Sequence, residues 1–322
     1  MPNTKPKPSN NKSIIIVVAV FAAVAMLASY ITALSKFGGS SDTLSVTNDS
    51  YVEESVSEVV QESSEFESEV EEFAYFATLR MENFPYRNEA VANGALAVIS
   101  PESGRRPVVD NDKIVNISKN KTPDVYGLSN TSLVVYDEAM NNFDKFIVSF
   151  YENVPKNGLI INKGYSAYET LSSSEATIDL ATGYSVQFSI YNSNYRFSSD
   201  EFAYLKEQAF RYGIIQRYPD DKELYTGRSS DSTVYRYVGL AHSVYMNHYR
   251  FSLEEYLDKI RTEKIIEYVS ELEKDTVYVI YYVPVDAALE TTYVPLPVNE
   301  NCSYTVSGDG ANGFIVTVRI SE

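Results

Sequence analysis

Apolar positions change their period several times along the chain, and each change predicts an element. Residues Ile14 to Leu34 (IIIVVAVFAAVAMLASYITAL) are uncharged and overwhelmingly apolar. At about 1.5 Å per residue, a helix of that length crosses the roughly 30 Å hydrocarbon core of a bilayer. Further on, GALAVIS (94–100) alternates small and apolar residues as a strand does, and SPESGRRPVVDND reads as a loop. SNTSLVVYDEAMNNFDKFIVSFYENV sets Ala139, Phe143, Phe146, Ile147 and Phe150 on one face of a helix. NGLIINKGYSAYETL predicts a strand running into a turn at Gly164, and GYSVQFSI (183–190) predicts another strand. SSDEFAYLKEQAFRYG predicts a helix capped at Ser198 or Ser199 and stopped at Gly213. STVYRYVGL then predicts a strand, and SLEEYLDKIRTEKIIEYVSELE is largely helical in pattern. From Thr276, TVYVIYYVPV, ETTYVPLPV and GFIVTVRISE read as strands separated by turn residues such as SGDGANG. The tail 272–322 is either a small β-module of its own or a set of strands covering an edge of the preceding sheet. The whole pattern is that of an α+β protein.

Charge refines this outline. Hydrophobic residues make up 44% of the 322 and aromatics 13%, enough for a real core. The net charge of −17 argues against nucleic acid, which demands clustered Lys and Arg. Lys5, Lys7 and Lys12 precede the apolar run, and residues 38–72 after it hold eleven carboxylates and no Lys or Arg. The positive-inside rule therefore predicts a cytoplasmic N-terminus (1–13), a single membrane-spanning helix (14–34) and an extracytoplasmic remainder at the cell membrane. The other reading, a cleaved export signal, is disfavoured by the length of the run and by Ile31 in ITALSK. The stretch 35–82 reads as a self-repelling spacer, with Val52, Val56, Val59, Phe66, Val70 and Phe73 leaving a weak coiled-coil stalk as the alternative. Cys302 is alone, which excludes an intramolecular disulfide. His242 and His248, the two histidines, fall six apart on one predicted helix and so point different ways; both are expected at least partly exposed.

Within 83–271, YGIIQRYPDDKELYTG (212–227) is followed by YRYVG (235–239) and LEEYL (253–257). The run resembles the VanY-type D-alanyl-D-alanine carboxypeptidases, bacterial zinc enzymes that trim the last D-Ala from peptidoglycan stem peptides. The resemblance covers roughly 94–260 and implies a small antiparallel sheet with helices. It also implies a metal motif, S-x-H-x-x-G-x-A-x-D, and a second motif, E-P-W-H, holding the general base and the third ligand. Anchored on Thr182-Gly183, IDLATGYSVQ puts Leu180 at the histidine position and Gln187 at the aspartate position. At the second motif stand Asp231, Ser232, Thr233 and Val234, so Val234 takes the third ligand position and Asp231 the general-base position. The family's arginine for the substrate carboxylate, in SGYRSY, is Ser166 here.

Leucine and valine cannot bind zinc, a glutamine amide is a poor ligand, and catalytic zinc needs three protein ligands with an open fourth position. The residues thus predict no zinc and no other cofactor, and the expectation is a pseudopeptidase. Arg217, Tyr218, Pro219, Lys222, Thr226, Gly227, Arg236, Tyr237 and Gly239 are read as structural frame. A remaining groove of Tyr165, Tyr168, Gln187, Asp231, Tyr235 and Arg236 is the expected binding surface for a stem peptide or an envelope protein. The alternatives are an active carboxypeptidase with a divergent site and an envelope structural or assembly protein. Deleting 272–322 is the sequence-level way to isolate the last of these.

Overall fold

Side-chain alternation decides which faces of the two main sheets are dry. The computed structural model describes residues 73–100, 105–154, 158–171, 175–191 and 200–321. The apolar run 14–34, most of the acidic spacer, residues 101–104 of the predicted loop and the Ser198/Ser199 cap lie outside the described residues. Among the described residues no helix is long and apolar enough to cross a membrane.

The elements, in chain order, are β1 (Met81–Arg87), β2 (Ile114–Asn116), β3 (Gly127–Leu128), β4 (Val134–Tyr136), α1 (Asp137–Asn153), β5 (Leu159–Lys163), β6 (Ser185–Ile190), α2 (Asp200–Gln208), β7 (Ile214–Tyr218) and β8 (Asp231–Tyr237). They continue with α3 (Leu240–Tyr249), α4 (Leu253–Glu263), β9 (Ile265–Val269), β10 (Thr276–Pro284), β11 (Thr291–Pro297), β12 (Cys302–Gly308) and β13 (Gly313–Ser321).

The motif-bearing half is a five-stranded sheet ordered β3-β5-β6-β8-β7, antiparallel except for the short β3–β5 pair. The predicted apolar face of α1 packs on one side of it. Phe143, Phe146, Ile147 and Phe150 meet Ile161, Val186, Phe188 and Tyr235 in one core. Gly213 ends the segment after α2 in a left-handed conformation (φ +74°), as the sequence predicts; a Cβ there would press on the Tyr237 ring and the Leu240 N–H.

The second half is a four-stranded antiparallel sheet, β12-β13-β10-β9. Both its faces are covered. Ile280 and Ile315 pack with Tyr256, Leu257 and Ile260 of α4, while Val279, Phe314, Val316 and Val318 pack on the other side with Val294 and Leu296 of β11. Two-sided burial is why TVYVIYYVP reads as a continuous apolar run rather than an alternating one.

Three expectations are corrected here. The tail does form its own sheet, but that sheet begins at Ile265, inside the stretch read as helix: Lys264 ends α4 with φ +68°, and the β-branched Ile265-Ile266 enter β9. Residues 94–100 form no strand. β1 belongs with the tail, since it pairs with β11 over Met81↔Pro297 to Arg87↔Thr291, a partnership more than 200 residues away in sequence.

Candidate functional site: the face of the five-stranded sheet opposite the long helix

Cross-strand register assembles the site. On β6 and β8 the partners are Ser185↔Arg236, Val186↔Tyr235 and Gln187↔Val234. Val186 and Tyr235 point into the α1 core. Ser185, Gln187, Val234 and Arg236 therefore share the opposite face. Gln187 and Val234, two of the three positions that the resemblance aligns with metal ligands, thus stand side by side. The third, Leu180, is buried in the helical segment Glu175–Thr182 that leads into β6.

The adjoining residues are organised by charge. Asp179, 2% exposed, receives Arg217 Nε at 2.9 Å, Arg236 Nη1 at 2.7 Å and the Ser185 hydroxyl. Arg217 turns its other two nitrogens to the Glu254 carboxylate of α4, at 2.6 and 3.2 Å. Arg236, wholly buried, also donates from Nε to the Ala95 carbonyl (2.9 Å) and from Nη2 to that of Ala97 (2.8 Å). This is why GALAVIS is no strand: its carbonyls are spent on a guanidinium. Two arginines and two carboxylates neutralise one another, which makes burial of Asp179, Arg217 and Arg236 beside the half-buried Glu254 tolerable. Burial pushes the Asp179 carboxyl upward, but Arg236, Arg217 and the Ser185 hydroxyl outweigh it and hold the pKa at about 2.

At the positions that the resemblance aligns with the second motif, the structure has a short hydrogen-bond chain. Gln187 Nε2 donates to Thr233 Oγ1 at 3.1 Å, and Thr233 Oγ1 donates to Asp231 Oδ1 at 2.6 Å. The Thr233 N–H reaches the same Asp231 oxygen at 2.8 Å. Asp231 is therefore held by its own strand in an Asx-type turn. These residues do not fit zinc. Leu180 and Val234 offer no lone pair, and Gln187 could offer only a neutral amide oxygen. Among the described residues, no three His, Cys, Asp or Glu side chains converge as a metal site would require.

The predicted groove residues separate into two sets. Gln187 and Asp231 come together through Thr233, and Tyr165 lies two residues beyond Lys163, the cross-strand partner of Gln187. Tyr168 stands with Arg106, whose guanidinium lies 5.5 Å from its ring centre. Tyr235 and Arg236 are corrections: neither lines an open surface, because one is in the α1 core and the other in the ionic network. His242 is a further correction. It is buried between the Tyr256 hydroxyl (2.6 Å from Nδ1) and the Thr317 hydroxyl (2.9 Å from Nε2), and burial lowers its pKa from 6.5 to about 3. His248 is exposed beside Glu271.

Sequence reasoning missed Asp179, Lys163 and Arg228. Asp179 had a signal, a lone carboxylate among Ile178, Leu180 and Ala181 in a chain that keeps two frame arginines. Arg228 had none. Its guanidinium sits 5.8 Å from the ring centre of Tyr218, the cross-strand partner of Asp231, and its buried Nη1 has no hydrogen-bond partner.

No family model matches the chain. It is 32% identical over 244 residues to a D-alanyl-D-alanine carboxypeptidase of Enterococcus faecium, covering 71% of this chain and 77% of that one. It is 46% identical over 52 residues to the bifunctional D-Ala-D-Ala dipeptidase and D-Ala-D-Ala carboxypeptidase VanXYC of Enterococcus gallinarum, covering 16% of this chain and 27% of the other. Among solved structures, the vancomycin resistance D,D-dipeptidase VanXYg, in complex with a D-Ala-D-Ala phosphinate analog, superposes with a TM-score of 0.57 at 23% identity. That match spans 74% of this chain and 99% of the other, and speaks for the fold. The frame of strands, the buried arginines and the relative from E. faecium agree: the chain belongs to the VanY-like D-Ala-D-Ala carboxypeptidase family.

Proposed function

We propose that this member of the family binds a peptidoglycan stem peptide without hydrolysing it, on the outer side of the membrane in which residues 14–34 anchor it. The observation that carries the proposal is the content of the metal positions: Leu180, Gln187 and Val234 in place of three ligands, with the Asp231 carboxylate tied to Thr233. No activated water can form on such a set. Two cations nearby suit a terminal carboxylate. Lys163 projects beside Gln187, and Arg228, with an unsatisfied N–H, lies by the strand partner of Asp231. They supply the charge that Ser166 lacks.

The test loads the purified chain with zinc and assays bound metal together with D-Ala release from a pentapeptide ending in D-Ala-D-Ala. It then measures binding of the same peptide with a free and an amidated C-terminus. Expected are no stoichiometric zinc, no release, and binding that amidation weakens. Stoichiometric zinc with chelator-sensitive turnover would overturn the reading.

A further inference from the structure

The four-stranded sheet ends in an edge that is only half covered. Two crevices, about 280 and 230 Å3, run beside β12 and share Gly94, Tyr184 and Val306 in their walls. At the far end of β12, residues 91–98 wrap the strand. The Gly308 N–H donates to the Asn93 carbonyl at 2.8 Å and the Gly310 N–H to that of Val91 at 2.7 Å. The approach is so close that a Cβ on Gly308 would lie 2.1 Å from the Val91 oxygen, and one on Gly310 (φ +80°) 1.9 Å from that of Val98.

The direction of the Gly308 N–H fixes the rest of the strand. Main-chain groups of alternate residues point the same way, so those of Val306 and Tyr304 also face away from β13. The complementary set faces β13, as the Asp309 N–H to Gly313 carbonyl bond (3.0 Å) at the hairpin end requires. No strand pairs with the outer side of β12 among the described residues. Nor does CSYTVSG carry any charge or proline, the usual means of blunting an open edge. Across the larger crevice stand Tyr184, Tyr237, Tyr278 and Glu138. Arg319 in the same wall is neutralised by Glu273 at 3.2 Å. Glu138 accepts the Tyr237 hydroxyl at 2.8 Å and has no cation in ion-pair range among the described residues.

We infer that this crevice docks an extended peptide segment bearing a lysine or arginine, whose main chain pairs with Tyr304 and Val306 while its cationic side chain meets Glu138. Gln187, Asp231 and Val234 do not line this crevice, and its ligand is recognised through backbone and charge.

The experiment uses the full chain in a neutral detergent and a fluorescein-labelled, end-blocked Thr-Lys-Val-Lys-Val-Thr peptide. Two further versions are N-methylated on one or the other alternate set of residues. Saturable binding is expected, lost by about tenfold or more with one methylated set and retained with the other. Val306→Pro, which removes an outward N–H on an edge strand, should weaken binding by a similar factor with the circular dichroism spectrum unchanged. Replacing Lys by Gln in the peptide should weaken binding severalfold, and Glu138→Gln should erase that difference. Amide exchange gives a readout on the protein itself: Tyr304 and Val306 should exchange faster than Ser303 and Thr305, and slow when peptide is added. Equal binding of both methylated peptides, no saturable binding at about 1 mM, or slow exchange at Tyr304 and Val306 before peptide is added would each overturn the proposal. So would protection that grows with protein concentration alone, the mark of edge-to-edge pairing between copies.

Discussion

On β8, Arg236 is buried against Asp179; on β10, Ile280 is buried against the side chains of α4. Both strands are central and dry, yet the cohesion differs in kind. The face of the five-stranded sheet opposite α1 is held by four charges whose mutual attraction offsets their lost hydration, and none of them can be removed alone. The four-stranded sheet is held by many apolar contacts, each worth a little and each separately replaceable. The ionic frame does not involve Leu180, Gln187 or Val234, so those positions can vary while it holds.

The sharpest way to break the comparison is Asp179→Ala. It strands two buried arginines and should cost about 5 kcal/mol, with melting lowered on the order of 10 °C or folding lost, read by calorimetry. Next is pH. His242 is neutral in the fold with a pKa of about 3 against 6.5 unfolded. The unfolded chain takes up that proton first as pH falls, so the contribution is complete above pH 6.5 and drains away towards pH 3, at about 5 kcal/mol in all. Asp179, lowered from 3.8 to about 2, loses its share only in the window between those values. Urea titrations from pH 7 to pH 4 should show the first slope, and His242→Gln should flatten it. Ile280→Ala should cost about 3 kcal/mol without any pH dependence. Thr233→Val should cost about 1 kcal/mol, because it frees Gln187 and one contact of Asp231 while leaving both at a half-open surface.

What could be read from the residues follows the same division. The stretch 211–257 announces the five-stranded sheet because its turns and charged frame need particular residue types: Gly213 for a left-handed stop, Arg217 and Arg236 for buried carboxylates. The carboxylate they share was not legible, since Asp179 sits in a short helical segment whose apolar positions show no amphipathic period in the sequence. Residues 94–100 misled for the opposite reason, a strand-like alternation whose carbonyls are claimed from 140 residues away by Arg236. His242 misled because α3 is covered on more than one side, something a polar residue in a helix does not disclose. The C-terminal strands were legible as strands, but their partners were not: β1 lacks any local signal that it belongs with β11.

That last pairing sets the order of assembly. As the chain is made, β1 emerges early and has no partner until residues 291–297 follow it, so it must wait through the synthesis of the whole motif-bearing sheet. Closing so long a loop adds little to the entropic cost, because that cost grows only with the logarithm of length, but it delays the step until β11 has been made. β1 and β11 thus bracket the motif-bearing sheet in the sequence and close on each other. A cut at residue 272 would not release a tail; it would leave β1 unpaired and expose the apolar side of α4.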